Sequence, residues 1–313
     1  MMNKCLYCYE PLTAPELDYH FPCSQKFFGS TNPPILPLEK AELQKKAREL
    51  VIRSIAVTGV QPKLSLDIEK TGTQSSRFTV VGLWGNFILK PPTEQFAFLP
   101  ENEDLTMKMA AEGGIATAEH TLIRLNSGEL AYLTRRFDRR EGQKIHMEDL
   151  CQLTETLTEH KYRGSLEKIG RAVRAFTTNK GLEALKLFEL TVFCFITGNA
   201  DMHLKNFTLV RPQNGDIALS PAYDLLSTKL ALPEDKEESA LTINGKKNRL
   251  SRTDFDALAR HLGISPKSVE RIYDRFGKKK IIWERLIQQS FLPPELQGTY
   301  QSLLIERLDR IGV

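Results

Sequence analysis

No stretch of this chain approaches the ~20 apolar residues that a membrane-spanning helix requires. The most apolar run, Leu185 to Ile196, is interrupted by Lys186 and Glu189. Met1 to Tyr9 carries Asn3 and Lys4 and has no long apolar run, so no signal peptide is expected. Cysteine is scarce and odd in number, five in 313 residues. That argues against a disulfide framework and for reduced thiols in a cytoplasmic setting. An excess of one charge is nearly missing too: 43 Lys+Arg against 39 Asp+Glu leaves +4. Such a small, scattered excess gives no support to direct nucleic-acid binding. Internal repeats and low-complexity tracts are absent. What remains, 41% hydrophobic and 26% charged, is ordinary globular composition in a chain long enough for two domains or lobes.

The apolar pattern divides the chain. Residues 1–37 hold three of the five cysteines (Cys5, Cys8 and Cys23) and end in a Pro-rich stretch, Asn32-Pro33-Pro34 to Pro37. Leu38 to Arg53 is rich in helix formers. From Ser54 to Leu133 the pattern is mostly β. Leu64-Ser65-Leu66-Asp67-Ile68 alternates as a half-buried strand should. Arg77 to Leu83 and Asn86 to Leu89 flank Trp84-Gly85 like the arms of a hairpin. Glu101 to Gly113 reads as an amphipathic helix with a Gly stop, and strands follow at Thr121–Leu125 and Leu130–Phe137. From His146 the pattern is helical: Met147–Glu159, Ser165–Thr177, Glu183–Thr197, and again from Thr253 onward. One short hairpin, Phe207–Val210 with Ile217–Leu219, interrupts it at Gln213-Asn214-Gly215. The expected fold class is α+β, with a small β-rich N-lobe at 38–140, a larger helical C-lobe at 141–313, and the cysteine-bearing segment at 1–37 as a third piece.

One constellation carries chemistry. Gly198-Asn199-Ala200-Asp201-Met202-His203-Leu204-Lys205-Asn206 follows the most apolar helix, and Asp224 comes 18 residues after Asn206, beyond the hairpin. Phosphoryl transfer to a hydroxyl needs a carboxylate on the attacking hydroxyl, and an amide oxygen and a second carboxylate on Mg²⁺. Asp201 fits the base; Asn206 and Asp224 fit the metal ligands. Each residue alone would pass as an ordinary loop side chain; the ordered set points to phosphoryl transfer and to a two-lobed protein-kinase-like fold.

The same segment, with Pro221-Ala222-Tyr223-Asp224-Leu225-Leu226-Ser227, resembles the catalytic region of the HipA-family serine/threonine kinases, bacterial toxin–antitoxin enzymes. The resemblance extends over roughly residues 50–310. It implies ATP and Mg²⁺ as cofactors, and His203 and Lys205 supporting the loop and the γ-phosphate, with a purely structural His203 as the alternative. Ser54-Ile55-Ala56-Val57-Thr58-Gly59-Val60-Gln61-Pro62-Lys63 has no Gly-x-Gly-x-x-Gly pattern but is similar to that family's phosphate loop. Thr58, Gly59, Gln61 and Lys63 would contact nucleotide, and Ser54 would be autophosphorylated, with Thr58 second. Lys90, closing Phe87-Ile88-Leu89-Lys90, matches the kinase strand lysine; Glu103 is its natural partner and Glu101 the rival one turn-phase away. Leu133 to Arg139 resembles the hinge, placing Arg135 and Phe137 near the adenine, with Arg135 standing where relatives often carry Glu.

For partners, the resemblance implies a protein substrate (an aminoacyl-tRNA synthetase or other translation component) and a DNA-binding HipB-like antitoxin. The phosphate loop begins already at Ser54, so the chain looks like the short, HipT-like form in which a small HipS-like subunit supplies a missing piece in a three-part HipBST-type system. Two alternatives stand beside this reading: a small-molecule or lipid-head-group kinase, favoured by the Asp-x-His-x-x-Asn order, and a catalytically weak kinase-fold regulatory subunit.

Cys5-x-x-Cys8 and His20-x-x-Cys23 have the spacing of a zinc knuckle, in which each pair clamps one side of a structural Zn²⁺. The alternative is a small packed module with buried thiols. Gly263 to Glu270 reads as a helix–turn–helix corner or, more simply, as a corner of the helical lobe.

Overall fold

A computed structural model describes residues 3–14, 16–37, 62–71, 75–82, 84–140, 142–212 and 215–313. The helix expected at Leu38–Arg53 lies outside these, as does Leu83. The chain divides into two compact units. The first comprises residues 1–104, 118–136 and 289–292; the second comprises 105–117, 137–288 and 293–313.

The first unit opens with helix α1 (Phe21–Phe28), whose C-cap Gly29 takes the left-handed conformation at φ 77°. Its sheet is built from β1 (Leu64–Lys70), β2 (Ser76–Val80), β3 (Phe87–Lys90), β4 (His120–Arg124) and β5 (Leu130–Arg135), in the order β2-β1-β3-β5-β4, antiparallel throughout. Alternation in β1 buries Leu64 and Leu66, as its pattern predicts. Phe27 and Phe28 of α1 meet the sheet: Phe27 is 6.0 Å from Phe87, and Phe28 is 6.1 Å from Phe78.

The hairpin expected around Trp84-Gly85 does not form. β2 and β3 lie on opposite edges of β1, and at the far end of β1 Thr71 N–H donates to Ser75 C=O at 3.0 Å. Gly85 serves a close approach: a Cβ there would stand 2.4 Å from the Leu66 carbonyl oxygen, and its N–H donates to Ser65 Oγ at 3.1 Å.

Helix α2 (Leu99–Glu112) begins in the first unit and ends in the second. The second unit contains short strands β6 (Arg139–Arg140) and β7 (Gln143–Lys144), then β8 (His146–Asp149), α3 (Leu150–Leu153), α4 (Leu166–Phe176), α5 (Lys180–Ile196), β9 (Thr208–Arg211), β10 (Ala218–Leu219), α6 (Thr228–Ala231), α7 (Arg252–His261), α8 (Pro266–Gln289) and α9 (Pro294–Ile311). The helix expected over Met147–Glu159 is a strand followed by one turn. Met147 and Glu148 pair with Val210 and Leu209 of β9. Asp149 then starts α3 through a capping box, accepting from Gln152 N–H at 2.9 Å while its own N–H reaches Gln152 Oε1 at 2.9 Å. The core gathers on α5: Phe193 lies 5.8 Å from Trp283, and Phe195 lies 5.0 Å from Phe255. The corner after α7 packs Leu262 into the core. Among the described residues no helix is long and apolar enough to cross a membrane.

Candidate active site

In the first unit Lys90 closes β3 opposite Tyr132. Its Nζ donates to Glu103 Oε1 at 2.5 Å and lies 5.3 Å from the Tyr132 ring centroid. Both partners are buried, with side chains 3% and 0% exposed. Glu103 is therefore the partner. Glu101 is two residues earlier, about 200° around the helix at 3.6 residues per turn. Burial pushes its carboxyl up to about 7, with the charge of Asp104 adding to the shift.

Beside the pair lies a polar network that the sequence did not reveal. Tyr9 donates to Asp104 Oδ2 at 2.6 Å, and His120 Nδ1 lies 2.7 Å from Asp104 Oδ1. The His120 ring stacks on Tyr132 at 5.6 Å. Burial, then Asp104, holds the Tyr9 hydroxyl well above its ordinary pKa. In the sequence Asp104 belongs to an acidic run at a helix start, where carboxylates are common for dipole reasons alone; nothing marks it as a buried hub.

The expected hinge residues are committed within their own units. Arg135 donates from Nη2 to the Phe27 carbonyl, pairs with Glu119 at 3.0 Å and lies over the Phe87 ring at 5.0 Å. The backbone N–H of Arg135 bonds Glu119 C=O, and that of Arg136 bonds Asn86 C=O, both at 2.8 Å. Phe137 packs on Tyr223 at 5.5 Å. Lys63 is exposed just before β1. Ser54, Thr58, Gly59 and Gln61 lie outside the described residues.

In the second unit the loop after α5 is anchored at both ends. Gly198 adopts φ 67°, and a Cβ there would stand 2.7 Å from Leu303 Cδ2. Thr228 Oγ1 accepts from Ala200 N–H at 2.8 Å and donates to Gly198 C=O at 3.1 Å. At the far end Tyr223 donates to the Lys205 carbonyl at 2.8 Å.

Asp201 thus hangs from a fixed backbone. Its N–H donates to Asn199 Oδ1 at 3.1 Å, and Tyr162 donates to its Oδ1 at 2.7 Å. His203 is 7% exposed, stands edge-on to Tyr162 at 5.1 Å, and has no partner on Nδ1. Burial lowers its pKa, while the charges of Asp201 and Asp224 pull the other way. Asn206 is buried, with its N–H donating to His203 C=O at 2.9 Å. Asp224 holds φ 54°, in the left-handed region that Asp adopts more readily than most residues with a Cβ. Lys205 reaches Asp149 at 3.6 Å. An amide oxygen from Asn206 and a carboxylate from Asp224 are the donor types that suit a hard divalent cation.

A sheet unit with a buried Lys–Glu pair, and a helical unit with this loop, make a protein-kinase-like fold, and solved kinases share it. HipA of Shewanella oneidensis, solved with HipB and operator DNA, superposes with a TM-score of 0.67 over 85% of this chain and 70% of that one, at 22% identity. The Helicobacter pylori proinflammatory kinase CtkA gives 0.53 over 72% and 87%, at 16% identity.

Residues 55–281 match the HipA-like C-terminal domain, and the chain belongs to this HipA-type kinase family. A Haemophilus influenzae protein named as a kinase is 28% identical over 93% of this chain and 92% of its own length. A Sinorhizobium fredii protein likewise named as a kinase is 32% identical over 76% of this chain, which spans 61% of that protein. The serine/threonine-protein kinase toxin HipA of Shewanella oneidensis is 28% identical over 56% of this chain and 44% of its own length.

Proposed function

We propose that the chain is an ATP- and Mg²⁺-dependent protein serine/threonine kinase, the toxin of a bacterial toxin–antitoxin system, that phosphorylates an aminoacyl-tRNA synthetase or other translation component. The observation that carries this reading is the Asp201 carboxylate, held by Tyr162 on a loop pinned to Thr228, with buried Asn206 on the same loop. Asp201 orients the attacking hydroxyl and accepts its proton. Asn206 and Asp224 would hold Mg²⁺, which neutralises phosphate charge when bound. Lys90, fixed by Glu103, meets the phosphates. His203, buried and lowered in pKa, stays neutral at pH 7 and keeps the loop's shape, and Lys205 belongs to the same loop.

Arg135 and Phe137 belong to the adenine side of the site in this reading. Thr58, Gly59, Gln61 and Lys63 belong to the phosphate loop in this reading, and Ser54 is its autophosphorylation site. The similarity to a HipA solved with HipB and operator DNA supports a HipB-like antitoxin. The three-part, HipT-like arrangement with a small HipS-like subunit, and the division at residues 37 and 140, belong to the same proposal.

Labelled ATP tests it. Wild-type protein is expected to label itself and a translation-factor fraction, and Asp201→Asn to lose at least about 10³-fold of that rate. Undiminished labelling by Asp201→Asn would sink the reading. The Asp-x-His-x-x-Asn order favours a second one, a small-molecule or lipid-head-group kinase, and label appearing only in a metabolite would select it.

A further inference from the structure

The chemistry-bearing cluster that phosphoryl transfer leaves unused lies in the first unit. Cys5 and Cys8 sit on a loop closed by the Lys4–Pro11 bridge and by two bonds of 2.9 Å, Cys5 N–H to Glu10 C=O and Tyr9 N–H to Cys5 C=O. His20 and Cys23 come from the start of α1. His20 is the N-cap residue, yet its side chain makes no capping bond. The ring turns to the thiols instead: Nδ1 is 3.4 Å from Cys8 Sγ and 3.9 Å from Cys23 Sγ. The ligand atoms of all four residues lie within 4.8 Å of one another.

Those distances have the scale of a coordination sphere. With Zn–S about 2.3 Å and Zn–N about 2.0 Å, tetrahedral geometry sets S and N neighbours about 3.5 Å apart and sulfurs about 3.8 Å apart. The surroundings fit as well. His20 Nε2 is 3.0 Å from the Pro11 carbonyl oxygen, which takes the ring N–H and leaves the Nδ1 lone pair facing the sulfurs. The backbone N–H of His20 points at Cys5 Sγ at 3.4 Å, a contact that favours thiolate. The three cysteines are free thiols, and Cys8 and Cys23 are only half-buried, which packing alone does not explain.

We propose that Cys5, Cys8, His20 and Cys23 bind one zinc ion as a structural site of three thiolates and one imidazole. Four protein ligands leave no open position for chemistry. The ion ties the Cys5–Cys8 loop to α1, and this layer grips the sheet and α2. The Leu6 carbonyl accepts from Thr121 Oγ1 at 3.2 Å, Tyr19 donates to the Leu122 carbonyl at 2.5 Å, and Tyr9, next to Cys8, holds Asp104 on the helix that carries Glu103.

The test is metal analysis of the full chain, purified without chelator. One zinc per chain is expected, with loss of zinc and a lower melting temperature after treatment with a strong chelator. Cobalt exchange is expected to give the visible absorption of a tetrahedral thiolate site. Cys8→Ser with Cys23→Ser should abolish binding. Because that variant can also lose its fold, His20→Cys provides the second arm: it keeps four ligands and should retain one zinc and the wild-type melting temperature. Substoichiometric zinc in the wild type after supply of the ion, or a native disulfide within the cluster, overturns the site. Iron in place of zinc overturns the assignment of the ion.

Discussion

A buried ammonium and a buried carboxylate in contact make single substitutions at Lys90 or Glu103 unusually informative. Their side chains are 3% and 0% exposed. Removing one partner of a buried ion pair costs about 3–5 kcal/mol, whereas replacing both by apolar groups is often nearly neutral. Lys90→Met should therefore destabilise the chain by about that amount in urea melts, and Lys90→Met with Glu103→Leu should recover most of it. ATP affinity should be lost in both. Recovery of nucleotide binding along with stability would show that the pair is structural only.

Glu101 has a different signature. Its carboxyl titrates near 7 when folded, against an ordinary 4.5. Between those values the folded chain keeps a proton that the unfolded chain has released, so stability falls as pH rises through the window. Glu101→Gln should then stabilise the protein at pH 8 by up to about 3 kcal/mol and leave it unchanged below pH 4.5, as read from melts across pH. The sequence names both carboxylates but cannot separate them, because the choice depends on where the helix starts and which face meets β3.

Elements were legible where local pattern and tertiary pairing agree. β1, α2 and the β4–β5 hairpin lie within two residues or so of their sequence-based bounds, because alternation, a Gly stop and Asn126-Ser127-Gly128 act locally. β8 was misread because Met147 and Leu150 share a helical phase; pairing with β9, 60 residues away, overrides it. Trp84-Gly85 misled for a related reason: glycine was needed for contact with a neighbouring strand and not for a turn. Gly198 has both roles, with φ 67° and Leu303 Cδ2 at 2.7 Å from a virtual Cβ. Gly198→Ala should cost about 1–3 kcal/mol from the backbone strain and the clash. It should also slow phosphoryl transfer, since the Thr228 anchor of Asp201 moves with it. A variant with unchanged melting temperature and kcat would refute this account of the loop.

At the scale of the molecule, the order of patterns along the chain gives a β-rich unit and a helical one, but not which distant segments complete each. Residues 289–292 join the first unit, where Lys4 donates to the carbonyls of Gln289 and Ser290 at 2.8 Å each and Tyr9 meets Phe291 at 5.3 Å. No local signal announces such closure. The order of Asp201, Asn206 and Asp224 along the chain, by contrast, is local: covalent spacing and one hairpin set it, so the sequence alone proposes the loop. The proposed phosphate loop is legible only as sequence, and its role is read through chemistry. A phosphoryl group on Ser54 would add about −1.5 to −2 charge to a loop that must itself accept phosphates, so modification opposes nucleotide binding. Intact-mass analysis of protein made in a host without related kinases should show one phosphoryl group, removed by phosphatase and mapped to the peptide containing Ser54. It should be absent in Asp201→Asn, and Ser54→Ala should remove it or shift it to Thr58. Phosphatase treatment should restore ATP affinity in the wild type alone. A phosphoryl group that persists in Asp201→Asn would mean another enzyme writes it, and the loop would then be an input for regulation in trans.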